Sequence, residues 1–211
     1  MGTEARLVFY APDSATAHAA ARAAFDRLAE LDSLLSHFRD DSEVAALARA
    51  SGDPRPVSED LWTVLVVAHD FALGTDGVFD VTHGRWRELV LDRATRRVTP
   101  GIPLDLGAIG KGYGADEALA TLRRFGITSA LIAFGGELVA GDGPPGTDGW
   151  VVQVGDTTTT LTNGAISTSG LGLAAGQSVS VRASSGLLAD PLATATALLR
   201  ASASARDPLS P

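Results

Sequence analysis

The sequence predicts one domain that mixes α-helices with β-strands. Segments whose apolar residues recur at helical spacing alternate with shorter segments rich in β-branched and aromatic residues. The chain has 211 residues, of which 45% are hydrophobic, so it is long enough to bury a proper core. It contains no internal repeat and no clear domain boundary. We therefore expect a single domain over residues 1–200, followed by a short flexible tail over residues 201–211.

The first elements are predicted to be a strand and a long helix. Residues 4–10 are mostly apolar and predict a strand, which Pro12 and Asp13 end. Ser14 is a residue type that caps helices, so we expect a helix from there to about Leu35. Its core stripe is predicted from the helical spacing of four apolar residues: Phe25, Leu28, Leu31 and Leu35.

Two further helices are predicted from the residues that would cap them. Ser42 is expected to cap a short helix in which Glu43 favours the first turn. Ser58 is expected to cap a helix that is apolar nearly all round over residues 61–73 and is therefore buried. Residues 92–97 are charged and turn-like, which predicts a solvated hairpin.

A polar and aromatic turn follows the second of these helices, over residues 77–85. Phe79 could stack on a flat ring, and Asp80 could accept hydrogen bonds from one. An ordinary hairpin turn anchored by a phenylalanine is the alternative interpretation.

Residues 104–118 form the stretch around which the chain is organised. The stretch contains four glycines: Gly107, Gly110, Gly112 and Gly114. They precede a predicted helix over residues 115–125. Glycine lets the backbone approach a ligand closely, a helix N-terminus favours phosphate, and Lys111 adds positive charge. The spacing matches neither a P-loop nor a Rossmann fingerprint, so a tight structural turn with an exposed lysine stays an alternative.

The remainder of the chain is predicted to be mostly strands. They cover residues 128–134, 150–154, 157–162, 165–169 and 178–182. A final helix is expected to open at Asp190 and Pro191 and to run to about Arg200.

Asp190 and Thr194 allow two interpretations. Asp190 suits a helix N-cap, with Thr194 an ordinary helical residue. Alternatively, the two residues lie one turn apart on one helix face, where their oxygens could bind one hard cation. Spacing alone favours the cap, and both roles can coexist because a cap uses only one carboxylate oxygen.

Charge and composition narrow the classes of partner. The chain has 17 Lys and Arg against 25 Asp and Glu, and its net charge of −8 argues against nucleic acid. An anionic ligand would therefore need a local positive group or a metal. The absence of cysteine excludes disulfides and thiolate metal sites. No apolar run is long enough for a transmembrane segment, and residues 1–10 do not resemble a signal peptide, so we expect a cytoplasmic protein.

A set of short segments spreads over nearly the whole chain. In order they are Met1-Gly-Thr3, Leu35-Ser-His-Phe-Arg-Asp-Asp-Ser-Glu43, Gly77-Val-Phe-Asp-Val-Thr82, Asp105-Leu-Gly-Ala-Ile-Gly-Lys-Gly-Tyr-Gly-Ala-Asp116, Phe134-Gly-Gly-Glu137, Ala165-Ile-Ser-Thr-Ser-Gly170 and Ala189-Asp-Pro-Leu-Ala-Thr194. Each is similar to a motif of one known family, and the order is the same. The chain thereby resembles the ApbE family, the FAD:protein FMN transferases.

The resemblance implies an α+β, T-fold-like domain of the ApbE type, with a mixed or antiparallel sheet and packed helices. It also implies Mg²⁺-dependent transfer of FMN from FAD to a Thr or Ser hydroxyl of an acceptor protein, with release of AMP. Carried over position by position, the flavin contacts fall on Met1, Phe38, Val78, Phe79, Asp80, Asp105 and Lys111. The Mg²⁺ ligands fall on Asp190, Thr194 and Ala108, the last through its backbone carbonyl because its side chain has no oxygen.

The sequence departs from the family in one place. The family carries a His-Ile-Ile-Asp-Pro-x-Thr-Gly segment before its last helix, whereas here Gly170 is followed by residues 171–178 without a histidine. This removes a candidate acid/base group and part of the flavin pocket wall, so we assign no catalytic residue. Hydrolysis of FAD to FMN and AMP, and a non-catalytic flavin-binding module, stay open as alternatives.

Overall fold

The computed structural model describes residues 3–204, and helices and antiparallel strands mix within that range. The helices are α1 (Ser14–Leu35), α2 (Glu43–Arg49), α3 (Glu59–Gly74), α4 (Gly110–Arg124) and α5 (Gly186–Ser204). The strands are β1 (Ala5–Phe9), β2 (Arg55–Pro56), β3 (Leu91–Asp92), β4 (Arg97–Val98), β5 (Ala130–Phe134), β6 (Glu137–Ala140), β7 (Trp150–Val154), β8 (Thr157–Leu161), β9 (Gly164–Ser169) and β10 (Val179–Ala183). The predicted α+β class is confirmed.

A five-stranded antiparallel sheet, in the order β1-β5-β6-β9-β10, forms the centre of the fold. Helices α1 and α4 pack on one face of the sheet, where Leu122 of α4 and Ile132 of β5 belong to one apolar cluster. The β7–β8 hairpin contributes Trp150 to a smaller cluster with β6 and β9. The charged turn over residues 92–97 lies in the β3–β4 hairpin, as predicted.

Helix α1 begins where predicted, but its cap is Asp13 rather than Ser14. The Asp13 carboxylate accepts a hydrogen bond from the Thr16 N–H at 2.8 Å, which satisfies one of the unpaired amides of the first turn. Three of the four predicted core residues are buried, and the fourth, Phe25, is 47% exposed. The buried stripe passes through Ala24, and the next residue along a helix is turned about 100° away from it.

The caps of α2 and α3 are those predicted. Ser42 Oγ accepts the Ala45 N–H at 3.0 Å, and Ser58 Oγ accepts the Leu61 N–H at 3.2 Å. The Glu43 carboxylate accepts the Ser58 N–H at 2.7 Å. The first turn of α2 is thereby tied to the start of α3.

Helix α4 begins at Gly110 rather than at residue 115, so most glycines of the central stretch lie inside the helix. A Cβ on Gly112 would lie 2.1 Å from the carbonyl oxygen of Gly186, and one on Gly114 would lie 3.1 Å from the Phe134 ring. The expectation that these two glycines open the backbone toward a ligand is wrong. They instead admit α5 and β5 to the surface of α4.

Helices α4 and α5 cap each other. The Asp190 carboxylate of α5 accepts the Gly112 N–H of α4 at 3.1 Å. The Asp116 carboxylate of α4 accepts the N–H groups of Gly186 and Leu187, each at 2.8 Å. Each helix thus supplies the anion that satisfies first-turn amides of the other. The prediction that Asp190 caps its own helix is wrong, because α5 already begins at Gly186.

The last helix also extends beyond its predicted end near Arg200, since α5 runs to Ser204. Residues 205–211, most of the predicted tail, lie outside the described range. Within residues 3–204, none of the helices combines the length and the apolar character that crossing a bilayer requires.

An ionic cluster joins α1, α3 and α4. Arg27 donates to Asp60 at 3.0 Å and to Glu117 at 2.8 Å, and its side chain is only 17% exposed. Burial alone would raise the pKa of Asp60, but hydrogen bonds from Arg27 and Tyr113 outweigh it and hold that pKa below its usual value. The stabilisation from the ionised carboxylate is therefore present above pH 3.8 and is lost as the pH falls through the folded pKa.

We predict that Arg27→Met destabilises the protein by about 2 kcal/mol at neutral pH, less than the 3–5 kcal/mol of a fully buried pair because solvent partly screens the cluster. Urea denaturation followed by circular dichroism measures the change. Arg6→Met is the control, since the Arg6–Glu4 pair is 72% and 78% exposed and should contribute little. Equal losses in the two variants would contradict the structural role of the cluster.

We also predict that Gly112→Ala separates α4 from α5. Its methyl group would meet the Gly186 backbone at 2.1 Å, so the cost should reach about 3 kcal/mol or more, as in an overpacked core. The matched control is Gly74→Ala, another helical glycine, around which no atom lies within 4 Å of the added Cβ. The control should be neutral or stabilising by up to about 1 kcal/mol. A Gly112→Ala protein as stable as the control would rule out the close crossing.

Candidate functional site

A cavity of about 530 Å³ opens where the first turn of α4, the second turn of α5 and the start of β6 meet. This volume is within the usual range for small-molecule sites. The loops over residues 78–84 and 105–108 complete its wall. Eight residues predicted from the sequence line it: Val78, Phe79, Asp80, Asp105, Ala108, Lys111, Asp190 and Thr194.

The other two predicted residues lie elsewhere. Phe38 lines a smaller neighbouring cavity of about 170 Å³, which shares Gly107 and Lys111 with the first. The Phe38 side chain is among the exposed large hydrophobic residues, at 84%, and its ring centroid lies 3.9 Å from that of His37. Met1 lies outside the described residues. The shared wall makes the two cavities neighbouring parts of one surface depression.

The loop after α3 is held rigidly by its own side chains. Asp80 Oδ1 accepts the Thr82 N–H at 2.7 Å, and Asp80 Oδ2 accepts the Gly84 N–H at 2.5 Å. The Phe79 ring is 1% exposed and packs on Phe71 with centroids 5.7 Å apart. A ring this deeply buried is not placed to stack on a ligand, so the structure favours the alternative of an anchoring phenylalanine.

Lys111 stands in the first turn of α4 and is the sole lysine of the sequence. Its Nζ donates to the Gly107 carbonyl and lies 3.6 Å from Asp190 Oδ2. The side chain is 24% exposed, so its charge is only partly screened by solvent. The cavity thus has a fixed positive charge beside the positive end of the α4 dipole.

Asp105 shapes the approach to α4. Its Oδ1 accepts the Gly107 N–H at 2.8 Å and lies 3.3 Å from Nδ1 of His37. Its own N–H donates to the Val81 carbonyl at 2.8 Å, which joins this segment to the loop after α3. The two lining loops are therefore bound to each other by backbone.

Two buried carboxylates share the floor of the cavity. Asp190 is 3% exposed and Glu137, the first residue of β6, is 2% exposed. Burial, and next the neighbouring Asp190 carboxylate, raise the pKa of Glu137 to about 8. Burial also raises the pKa of Asp190, although the charge of Lys111 and the Gly112 N–H partly oppose this.

Glu137 is a cavity residue for which no role was predicted from the sequence. The available signal was its position in the segment Phe134-Gly-Gly-Glu137, where a charged residue directly after a glycine turn begins an otherwise apolar strand. Alternate residues of a strand lie on the same face, and Glu137 shares its face of β6 with the buried Val139. The Glu137 side chain is therefore buried as well.

The oxygen atoms near Asp190 in the cavity suit a hard divalent cation. Asp190 and Thr194, which is 5% exposed, lie one turn apart on α5, and Ala108 lines the cavity opposite them. Oxygen donors of this kind are those that Mg²⁺ prefers. Within residues 3–204, no group of three or more His, Asp or Glu side chains has an arrangement that could hold a metal ion. The predicted ligand set accordingly has one carboxylate, that of Asp190, with neutral oxygens beside it.

Comparison with known proteins gives the family of the chain. The model of the ApbE family matches residues 1–90 and 82–173 of the chain. The FAD:protein FMN transferase of Treponema pallidum is 31% identical over 178 residues, which cover 66% of this chain and 49% of that protein. The FAD:protein FMN transferase of Klebsiella pneumoniae is 29% identical over 170 residues, which cover 65% and 52%. The chain spans about half the length of these curated relatives.

The fold is also similar to that of solved ApbE structures. The solved structure of the flavin transferase ApbE from Vibrio cholerae superposes with a TM-score of 0.81 at 22% identity, covering 94% of this chain and 84% of that one. The predicted ApbE-type fold is thereby confirmed. Because the family model matches most of the residues of this chain, the chain belongs to the ApbE family.

Proposed function

We propose that this protein transfers FMN from FAD to a Thr or Ser hydroxyl of an acceptor protein, in a Mg²⁺-dependent reaction that releases AMP. The observation that carries the proposal is the convergence of eight residues, predicted from separate segments, on one cavity. The names of the relatives, FAD:protein FMN transferase, support the same activity.

The charges of the cavity suit a dinucleotide. FAD carries an anionic pyrophosphate, and Lys111 with the positive end of α4 offers it the local positive charge that an acidic chain otherwise lacks. Asp190 and Glu137, both buried, would repel the same pyrophosphate in their ionised forms unless a cation lay between them. FAD and a divalent cation should therefore bind cooperatively.

Asp190, Thr194 and the carbonyl of Ala108 would hold Mg²⁺. When bound, the ion supplies charge neutralisation for a pyrophosphate that is being cleaved. The residues of the chain position the ligands. The Gly112 N–H fixes Asp190 from α4, and the loop braced by Asp80 and Asp105 fixes the opposite wall.

The transfer is balanced in atoms and charge. The acceptor hydroxyl oxygen forms a bond to the phosphorus of the FMN half of FAD. The bond between that phosphorus and the bridging oxygen breaks, and the bridging oxygen leaves as part of AMP. The hydroxyl proton passes to solvent or to a base that we do not assign, because residues 171–178 contain no titratable side chain.

That segment also supports a second candidate, a flavin-binding module without transferase activity. Leu171 lines the cavity where the family places its histidine segment, and it brings no acid/base group there. Incubation of the protein with FAD and Mg²⁺, with and without a flavin-acceptor protein, separates the candidates. Acceptor-dependent AMP and a flavin-labelled acceptor indicate transfer, acceptor-independent AMP indicates hydrolysis, and binding without AMP indicates the module.

We predict that Lys111→Met weakens FAD binding about tenfold, because it removes the only lysine from a partly desolvated anion site. Titration of flavin fluorescence at millimolar Mg²⁺ measures the change. The fold should persist, since the side chain is not part of an apolar cluster. Arg93→Met, which removes an exposed cation paired with Asp70, is the control and should bind FAD as wild type does. Unchanged FAD affinity in the Lys111 variant would mean that the glycine-rich stretch around Lys111 has only a structural role.

We further predict that Asp190→Asn retains the fold and loses the cation. An amide oxygen can still accept the Gly112 N–H, whereas it is a weaker ligand for Mg²⁺ than a carboxylate. Melting temperatures with and without Mg²⁺ and FAD should show a near wild-type apo protein whose ligand-induced increase is largely lost. An Asn variant with the full increase would mean that Asp190 serves only α4.

A further inference from the structure

Glu137 has a burial that the fold alone does not explain. It is 2% exposed, and its Oε2 makes no hydrogen bond to any residue of the described chain. Its antiparallel partner in β9, Ser167, is 1% exposed and its Oγ is likewise without a hydrogen bond there. Two unsatisfied polar atoms on neighbouring strands are costly in a protein interior, because each has lost its water.

The position of this pair relates it to the predicted cation ligands. On β6, Glu137 lies two residues before Val139 and therefore on the same face of the sheet. A Cβ on Gly186 would lie 2.9 Å from Val139, so this face meets the start of α5. Glu137 lines the same cavity as Asp190 and Thr194, two of the predicted cation ligands.

The two carboxylates differ in their cationic partners. Lys111 Nζ lies 3.6 Å from Asp190 Oδ2, whereas no ion pair to Glu137 forms among the described residues. A buried carboxylate is stable when it is protonated or when it is paired with a cation. Because Glu137 lines the cavity, a cation bound there could pair with its ionised form.

We infer that Glu137 is a further ligand of the divalent-cation site, either directly or through one bound water, and that Ser167 supports it by donating a hydrogen bond to its ionised carboxylate. The inference rests on the proposed function only in placing a hard cation, Mg²⁺ or Mn²⁺, beside Asp190. It adds a second carboxylate from β6 to a set otherwise drawn from α5 and the Ala108 carbonyl. Two carboxylates hold a hard dication more tightly than one.

The test is Mn²⁺ binding by the full-length protein freed of flavin, followed by the loss of the free Mn²⁺ signal in electron paramagnetic resonance at one fixed pH. Glu137→Gln preserves shape and removes charge, and it should weaken binding about tenfold or more. Glu88→Gln is the matched control, since this glutamate is 58% exposed in a pair with Arg85, and it should bind Mn²⁺ as wild type does.

Thermal melting of the same proteins gives a second readout. Without metal, Glu137→Gln should melt at the wild-type temperature or above it, because a neutral amide replaces a carboxylate that lacks a partner. With Mn²⁺, the increase in melting temperature should be smaller than in wild type. Ser167→Ala should weaken Mn²⁺ binding by a smaller factor, and it keeps the test valid if the Gln variant does not fold.

The outcomes separate the two proposals. Wild-type Mn²⁺ affinity in Glu137→Gln, or in Ser167→Ala where the former does not fold, overturns the role of Glu137 and leaves the proposed function standing. A wild-type protein that binds neither Mn²⁺ alone nor Mn²⁺ with FAD overturns the cation site altogether, and the Mg²⁺-dependent transfer with it.

Discussion

The close crossing of α4 and α5 is the constraint on which the site depends. Gly112 and Gly186 leave no room for a side chain at the crossing, and their helices exchange caps through Asp190 and Asp116. Helix N-termini carry unpaired amides and partial positive charge, so two of them meet in the interior only when anions satisfy them. One of these anions, Asp190, also faces the cavity. The contact that joins the helices therefore also builds the floor of the site.

This shared use explains the electrostatic character of the cavity. Asp190 is held by the Gly112 N–H and approached by Lys111, which offsets part of the cost of its burial. Glu137 has no such partner, and burial with a neighbouring carboxylate raises its pKa to about 8. When both carboxylates are ionised, they place negative charge in the cavity where an anionic dinucleotide would bind, in a chain whose net charge is already −8. A cation bound there would attract both the carboxylates and the pyrophosphate, so ligand and cation should bind together.

Most of the residues predicted for the site line one cavity, and they belong to short local motifs. Asp80 and Asp105 organise their own loops through hydrogen bonds to residues two to four positions away, so their neighbourhood in sequence is also their neighbourhood in space. The interpretation of Phe79 as a stacking ring did not survive, since Phe71 from the preceding helix covers that ring. Glu137 was missed as a site residue because its environment comes from β9 and α5.

The sequence by itself determined the α+β composition and the caps of α2 and α3, because capping and periodicity act over a few residues. The segments that line the cavity were predicted from the resemblance of their motifs to those of the family. Only the tertiary structure decided where α4 and α5 begin. In the sequence, glycines with a lysine between them resemble a loop. The structure shows that Gly112 lies in a helix and packs against the backbone of Gly186. The same holds for Asp190, whose hydrogen-bond partner lies 78 positions away in the chain. Contacts at that separation leave no periodicity in the sequence, and only packing selects them.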